Sequence, residues 1–513
     1  MTAVKTFDRI ALIIVIGASF ALVFIAVLND FYVYGDMGDI GWFASAAWHN
    51  GFDLHGPPAH NFSFFNVHMT PILWLTNAVS YALPLSKIDY YAALCGGIYA
   101  LFGAGVYRLW LMAHDTEGRP ARFDGCAAGI VALAATFSAI GVQALRVPHL
   151  EMGIPAFALW FFLCLSQRRF VAASVFFILC LLIREDAGLH LFGWLIVWLI
   201  TLKTSHRHDL QRHIGLYAAL ALLYAVVALM VKYQFFMKMD NMSIVYSGNP
   251  PWHHLGWPVI GDRLSFFLLN RTYITLPFLL ALGWGFYACN PFIPLGYVAA
   301  LPWLLWNLMA VRPSPAHLDF YYGFPFWLAL AWPLLALEVW PREEDSSAPE
   351  RWPYFFLLLV SLAGWQQGQL TVYPFSVHSV IDENSYEGNL FVIGPEWGRA
   401  SAMQSFTDYF AAHQSSFTHA VMDVPVQGVV IDSNATVMGV GEWNFLHPSV
   451  LPDMIVYFDG GYDWHYWVKP SLQSYPERFV YFYQLPNTKI RIAATQPLEN
   501  LLPQPMPFAP VEK

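Results

Sequence analysis

Charge is what this chain has least of. Across 513 residues only 12% are Asp, Glu, Lys or Arg, while 57% are hydrophobic and the mean hydropathy is +0.45. No water-soluble core of this length could hide that much apolar surface, so a polytopic membrane protein is expected. Cysteine is scarce too. Cys95, Cys126, Cys164, Cys180 and Cys289 fall within or at the ends of apolar runs and none has a CxxC partner. That argues against disulfides on the outward segments and against a thiolate metal site. There is no P-loop, no dinucleotide fingerprint and no repeat at solenoid spacing, so an ATP-driven pump is not expected. A net charge of −9 without a basic patch on any soluble part argues against nucleic acid as a partner.

What the chain has instead is a series of apolar runs near the roughly 20 residues needed to cross the hydrocarbon layer. About eleven spans are expected, at 10–28, 89–112, 125–145, 151–166, 170–183, 187–202, 214–231, 273–289, 291–310, 320–340 and 353–367. The first run follows Lys5 and Arg9 but lacks a small-residue cleavage site after it, so it reads as an uncleaved anchor. Lys5, Arg9, Arg119, Arg122, Arg168, Arg169, Lys203, Arg207, Arg212, Arg342 and Arg351 all fall on one side of this arrangement. The positive-inside rule makes that side cytoplasmic, with the N-terminus inside and the C-terminus outside.

The connections carry their own signals. A long first outer loop, about 29–87, holds aromatic-rich amphipathic stretches such as GWFASAAWHNG and HMTPILWLTNAVSYALP, which suit short interfacial helices. A second outer loop is expected at about 232–272, with NPPWHHLGWP as an interfacial turn. From 368 to 513 the hydropathy drops and alternating segments appear, GVVID, MIVYF and RFVYFYQL among them, which predict a small mixed α/β domain on the outer face. The expected organisation is therefore a membrane all-α domain over 1–367 followed by that outer domain over 368–513.

Acidic residues and histidines play no part in setting this topology, yet they gather on one side of it. Asp36, Asp39, His49, His60 and His68 lie in the first outer loop; Arg146, His149 and Glu151 at the next outward turn; Arg184, Glu185 and Asp186 at the third; Arg312, His317 and Asp319 at the last. Charge at the membrane boundary is costly and is kept for function or in pairs. The alternatives for each residue are equally physical: YGDMGD is rich in turn formers, so Asp36 could be a turn or cap residue. Arg184 could be locked to Glu185 or Asp186, and His68 could cap the helix after it.

The segments DIGWFASAAWHNG, VHMTPIL, VPHLEMGIPAFALW, IREDAGL, AHLDFYYGFPFWLAL and VPVQGVVIDSNATVMGV resemble the polytopic proteins catalogued as domain of unknown function 2079. Those in turn are similar to the GT-C glycosyltransferases, which use polyprenyl-phosphate-linked sugars. Asp39, Gly41, Phe43, Ala46 and Trp48 match the family's first motif, whereas Ala44 and Ser45 replace its acidic and amide positions. The resemblance implies a GT-C-like bundle in a bacterial inner membrane. It also implies a catalytic carboxylate in the first outer loop, at Asp36 or Asp39; the reading taken here is Asp39 as the base, with Asp36 orienting it, sharing a proton with it or helping to bind a divalent ion. Transfer would involve an oxocarbenium-like transition state and a phosphate leaving group. His68, Arg146, His149, Glu151, Arg184, Glu185, Asp186, His317 and Asp319 are the candidate substrate-binding residues. The expected partners are a polyprenyl-phosphate sugar donor, membrane lipid and a glycan, lipid or protein acceptor. A divalent cation could share the carboxylates, but no HExxH or comparable spacing specifies one. Two other classes stay open: a secondary transporter or flippase, although internal repeats and broken helices near the midplane are not evident, and a non-catalytic envelope-assembly scaffold whose outer tail binds a partner; the tail's Trp443, Trp464 and Trp467 could equally serve in carbohydrate binding or as its core.

Overall fold

A computed structural model of the chain describes residues 2–29, 43–44, 46–49, 52, 54, 63–85, 87–112, 124–145, 147–202, 208–236, 242–339 and 352–363, and in the C-terminal part 419–422, 436–438, 453–458, 469–474, 477–484 and 490–498. Two compact units emerge. The first comprises Met1–Val23, Phe65–Ile72 and Leu94–Leu370; the second comprises Phe24–Phe64, Leu73–Ala93 and Thr371–Lys513.

Helices dominate. They are α1 (Thr2–Asn29), α2 (Ile72–Ser80), α3 (Lys87–Met112), α4 (Asp124–Thr136), α5 (Ala139–Ala144), α6 (Gly153–Ser166), α7 (Phe170–Leu181), α8 (Ala187–Leu202), α9 (His208–Val231), α10 (Trp257–Asn270), α11 (Thr272–Tyr287), α12 (Leu295–Leu308), α13 (Pro313–Ala316), α14 (Phe324–Val339) and α15 (Trp352–Ala363). Every apolar run of the sequence contains a helix, but most are too short to count as full spans. Among the described residues four stretches are long and apolar enough to cross a membrane, Asp8–Leu28, Ile88–Met112, Leu210–Phe236 and Pro313–Leu337. A helix needs about 20 residues at 1.5 Å each to cross about 30 Å, and the other apolar helices have 10–17. The reason is local. The run at 125–145, for example, is interrupted at Phe137 and Ser138, where α4 stops and α5 begins.

One expected loop contains a helix. Within 232–272, the segment WPVIGDRLSFFLLN forms α10, started by a proline in its first turn and carrying apolar residues at Val259, Ile260, Leu264, Phe267 and Leu268. It meets α11 at a 77° bend and the pair provides a fifth candidate span. Arg271 sits at the bend with a non-helical backbone, φ −116° and ψ 41°.

The centre of the first unit is α14. Phe324 and every residue from Phe326 to Leu337 except Pro333 are at most 3% exposed, and a helix that is apolar all round belongs inside a bundle. Its tryptophans are satisfied by backbone carbonyls: Trp327 Nε1 donates to Ala135 O and Trp332 Nε1 to Phe292 O, both at 3.0 Å. The close approach of α12 to α14 requires Gly296, where a Cβ would stand 2.5 Å from Trp332 Cβ. Peripheral helices show the opposite pattern, leaving Ile13, Leu223, Met230, Leu279, Phe286 and Leu359 largely exposed, as surfaces that face lipid do.

In the second unit a five-stranded sheet has the order β2-β1-β3-β5-β4, with β1 (His419–Met422), β2 (Thr436–Met438), β3 (Met454–Phe458), β4 (Tyr481–Gln484) and β5 (Ile490–Ala494). β1 pairs in parallel with β2 and β3, while β5 pairs antiparallel with β3 and β4, placing Ile455 opposite Ala493. MIVYF and RFVYFYQL supply β3 and β4 as expected from their alternation; GVVID lies outside the described residues. In the same unit His49 stacks between Trp48 and Tyr81, and its backbone N–H donates to Ser80 Oγ. That is a packed, hydrogen-bonded histidine.

Candidate functional site

Three connections of the first unit, 147–152, 182–186 and 317–323, each end where a helix begins: α6, α8 and α14 respectively. Glu151, Glu185 and Asp186 stand within two residues of the starts of α6 and α8, and Asp319 precedes the short turn Phe320–Gly323 that leads into α14. Exposed N–H groups and the positive end of the helix dipole favour an acid at that position. The acids therefore sit where the local sequence stabilises them before any long-range partner is counted.

Long-range partners then close the cluster. Arg184 spans two carboxylates: its Nε donates to Asp186 Oδ1 at 2.6 Å and its Nη2 to Asp186 Oδ2, while its Nη1 donates to Glu151 Oε1 at 3.1 Å. The other Glu151 oxygen accepts from His149 Nδ1. Glu185 takes three donors: Lys232 Nζ at 2.6 Å, the Met69 backbone N–H at 2.9 Å and His68 Nδ1 at 3.4 Å. Lys232 also donates to Val67 O at 2.8 Å, so one acid and one base fasten the 67–69 segment to the bundle.

Aromatic rings wall this charge in. The Tyr321 ring stacks on His149 at 3.8 Å, the Arg184 guanidinium lies 5.5 Å from the Trp303 ring and 5.8 Å from that of Phe324, and His190 meets both of those rings edge-on. Through Tyr321 the cluster continues into a second pairing on the same connection. There Arg271 donates to Asp319, and its Nε donates to His317 O at 2.7 Å. Leu318 and Phe320, which flank Asp319, both have φ 54°. Side chains adopt that region at a cost, and such strain gathers at functional sites.

Not all of these groups can reach a substrate. The side chains of His149, Glu151 and Arg184 are 1%, 2% and 6% exposed, whereas Asp186, His68, Asp319 and His317 range from 21% to 32%. The geometry thus divides the candidates into a dry inner set that positions and an outer set that can touch a ligand. Arg184 belongs to the inner set, because it is 6% exposed and each of its three nitrogens donates to Asp186 or Glu151. Among the described residues four carboxylates, Glu151, Glu185, Asp186 and Asp319, pair with Arg184, Lys232 and Arg271, and Arg263 acts on His317 as well, so acids and fixed cations are balanced in number there.

The acids stay ionised in this setting. Burial alone would push the Glu151 carboxyl up, but the adjoining His149 and then Arg184 outweigh it and hold it at about 2 against an ordinary 4.5. Burial is likewise overcome at Glu185, chiefly by Lys232, and at Asp186, chiefly by Arg184, so both lie below their usual range. Glu151 accordingly contributes stability that is fully present above 4.5 and lost as the pH falls toward about 2. The contribution is on the order of 3 kcal/mol. The thermal midpoint of the purified protein should drop across that window, and Glu151→Gln should flatten the drop; an unchanged slope in the variant would remove the linkage.

Of the sequence-predicted residues, His68, His149, Glu151, Arg184, Glu185 and Asp186 are brought together, and His317 and Asp319 join them through Tyr321. Asp36, Asp39, Arg146 and His60 lie outside the described residues. Among the described residues no three His, Cys, Asp or Glu side chains are disposed to hold a metal ion. Sequence reasoning missed Lys232, Arg271 and His190. Arg271 had a signal, a lone arginine between two apolar runs, and so did Lys232, a lone lysine at the end of one. Compared with known proteins, the chain matches no family model, no curated relative and no solved structure.

Proposed function

We propose that the protein is a membrane glycosyltransferase of the GT-C kind, moving a sugar from a polyprenyl-phosphate donor to a lipid, glycan or protein acceptor at the outer face of a bacterial inner membrane. The observation that supports this reading is the cluster itself: connections from separate parts of the chain gather a dry set of paired acids and bases at one end of an apolar bundle. Beside it lie partly exposed carboxylates and histidines.

The chemistry assigned to these residues follows from their charge. The acceptor hydroxyl oxygen bonds to the anomeric carbon as the bond from that carbon to the phosphate oxygen breaks, and the hydroxyl proton passes to the Asp39 carboxylate, with Asp36 orienting it. Polyprenyl phosphate leaves. In this scheme the partly exposed Asp186 and Asp319 supply negative potential for the oxocarbenium-like transition state, and the partly exposed His68 and His317 donate hydrogen bonds to the leaving phosphate. Arg184 and Glu151 are positioning residues in this scheme. His68→Gln should lower turnover about 10²-fold with little change in thermal midpoint, since His68 is a quarter exposed and 3.4 Å from Glu185; a loss of folded protein instead would make it a structural histidine.

A second reading has one observation of its own. Lys232 lies in the candidate span Leu210–Phe236, in a π-helical turn, and pairs with Glu185. Intramembrane ion pairs and π turns are features of transport proteins as well. Full-length protein in sealed vesicles carrying a labelled polyprenyl-phosphate sugar separates the two. A transferase releases free polyprenyl phosphate and labels an acceptor, whereas a flippase moves the intact carrier between leaflets.

A further inference from the structure

Away from the cluster, the N-terminal half of α1, the C-terminal half of α3 and Trp160 of α6 enclose a groove of about 510 Å³. Most of its wall is apolar, through residues such as Leu12, Ile16, Leu101 and Leu111. Two exposed arginines, Arg9 and Arg108, stand at one end with Asp8. Among the described residues neither guanidinium has an ion-pair or hydrogen-bond partner. The Tyr107 hydroxyl donates to Asp8 O at 2.8 Å and ties the two helices together there.

This end of the bundle is the one farther from the cluster. The chain leaves it at Gly125, whose neighbours are Asp8 and Tyr107, and reaches His149 only after α4 and α5. The groove is open at its wall, where Ile16 is 40% exposed and Gly97 is exposed. An apolar trough ending in two arginines and one acid, Asp8, carries a net positive charge there and complements an amphiphile with an anionic head. A peptide in it would leave backbone polar groups without partners along the apolar wall.

We propose that the groove holds one anionic glycerophospholipid, with its phosphate between Arg9 and Arg108 and an acyl chain along the apolar wall. A zwitterionic lipid carries its own ammonium beside the phosphate and gains less from the two arginines. The site is independent of the transferase reading, and it assigns a resident lipid to the leaflet opposite the polar cluster.

The test is native mass spectrometry of the full-length protein in detergent, titrated with phosphatidylglycerol, with phosphatidylethanolamine of the same acyl chains, and with polyprenyl phosphate. One phosphatidylglycerol should be retained in preference to the other two, and Arg9→Gln/Arg108→Gln should weaken it roughly 30-fold, given the usual gain per basic residue near a membrane surface. Gly97 provides a second variant. It lines the groove, and a Cβ there would meet nothing within 4 Å, so Gly97→Leu should fill the trough and expel the lipid without disturbing the bundle. Equal retention of the two phospholipids, or unchanged phosphatidylglycerol binding in both variants, would overturn the proposal. Displacement by polyprenyl phosphate at lower concentration would overturn it as well, and would make the groove a carrier site.

Discussion

Arg184→Met should destabilise the protein by about 3–5 kcal/mol, the usual consequence of removing one partner from a buried ion pair. Methionine roughly preserves the volume but leaves Glu151 and Asp186 without the guanidinium they share. The penalty comes from the stranded carboxylates rather than from the lost bonds. Neutralising them should therefore restore most of the stability: Arg184→Met/Glu151→Gln/Asp186→Asn should melt much closer to wild type than the single variant does. Thermal unfolding of the detergent-solubilised variants measures both. A single variant that melts with wild type would mean that water or a neighbouring cation already compensates the acids.

Asp39→Asn should lower sugar transfer about 10³-fold, within the range seen when a general base is removed, while leaving expression and melting unchanged. Asn keeps the shape of the side chain and loses only the ability to take the proton. Asp36→Asn should cost less, about tenfold, if Asp36 orients Asp39 rather than accepting the proton itself. Equal losses in the two variants would point to a carboxylate pair sharing one proton. Melting curves that collapse together with activity would instead make these aspartates turn residues of the first outer loop.

The cluster was legible because the acids and histidines gather at a few expected turns and stand just before apolar runs, where helix N-termini accept acids. The local pairing of Arg184 with Asp186 was among the alternatives the sequence offered and is the one formed; the long-range pairings were not legible. Arg184 meets Glu151 across 33 residues and Lys232 meets Glu185 across 47, and nothing local distinguishes those contacts from Arg184 binding a phosphate. The helix lengths were also misjudged. Hydropathy alone runs through Phe137–Ser138, and it gave too little weight to the apolar face of Trp257–Asn270 beside a tryptophan- and proline-rich turn. Arg271 at the 77° bend shows the same limit, since a single arginine between apolar runs reads as a loop until its partners on the 317–319 segment are seen.

The lipid-linked glycans of cells lacking the protein, compared with cells complemented by wild type, Asp39→Asn or His68→Gln, test the central claim most directly. A transferase predicts that the deletion accumulates a polyprenyl-phosphate sugar or loses an envelope glycan. Wild type should restore the profile, Asp39→Asn should not, and His68→Gln should restore it in part. Full restoration by every variant, from proteins present at equal levels, would contradict the account: the acids and histidines at this end of the bundle would then hold helices together and transfer nothing.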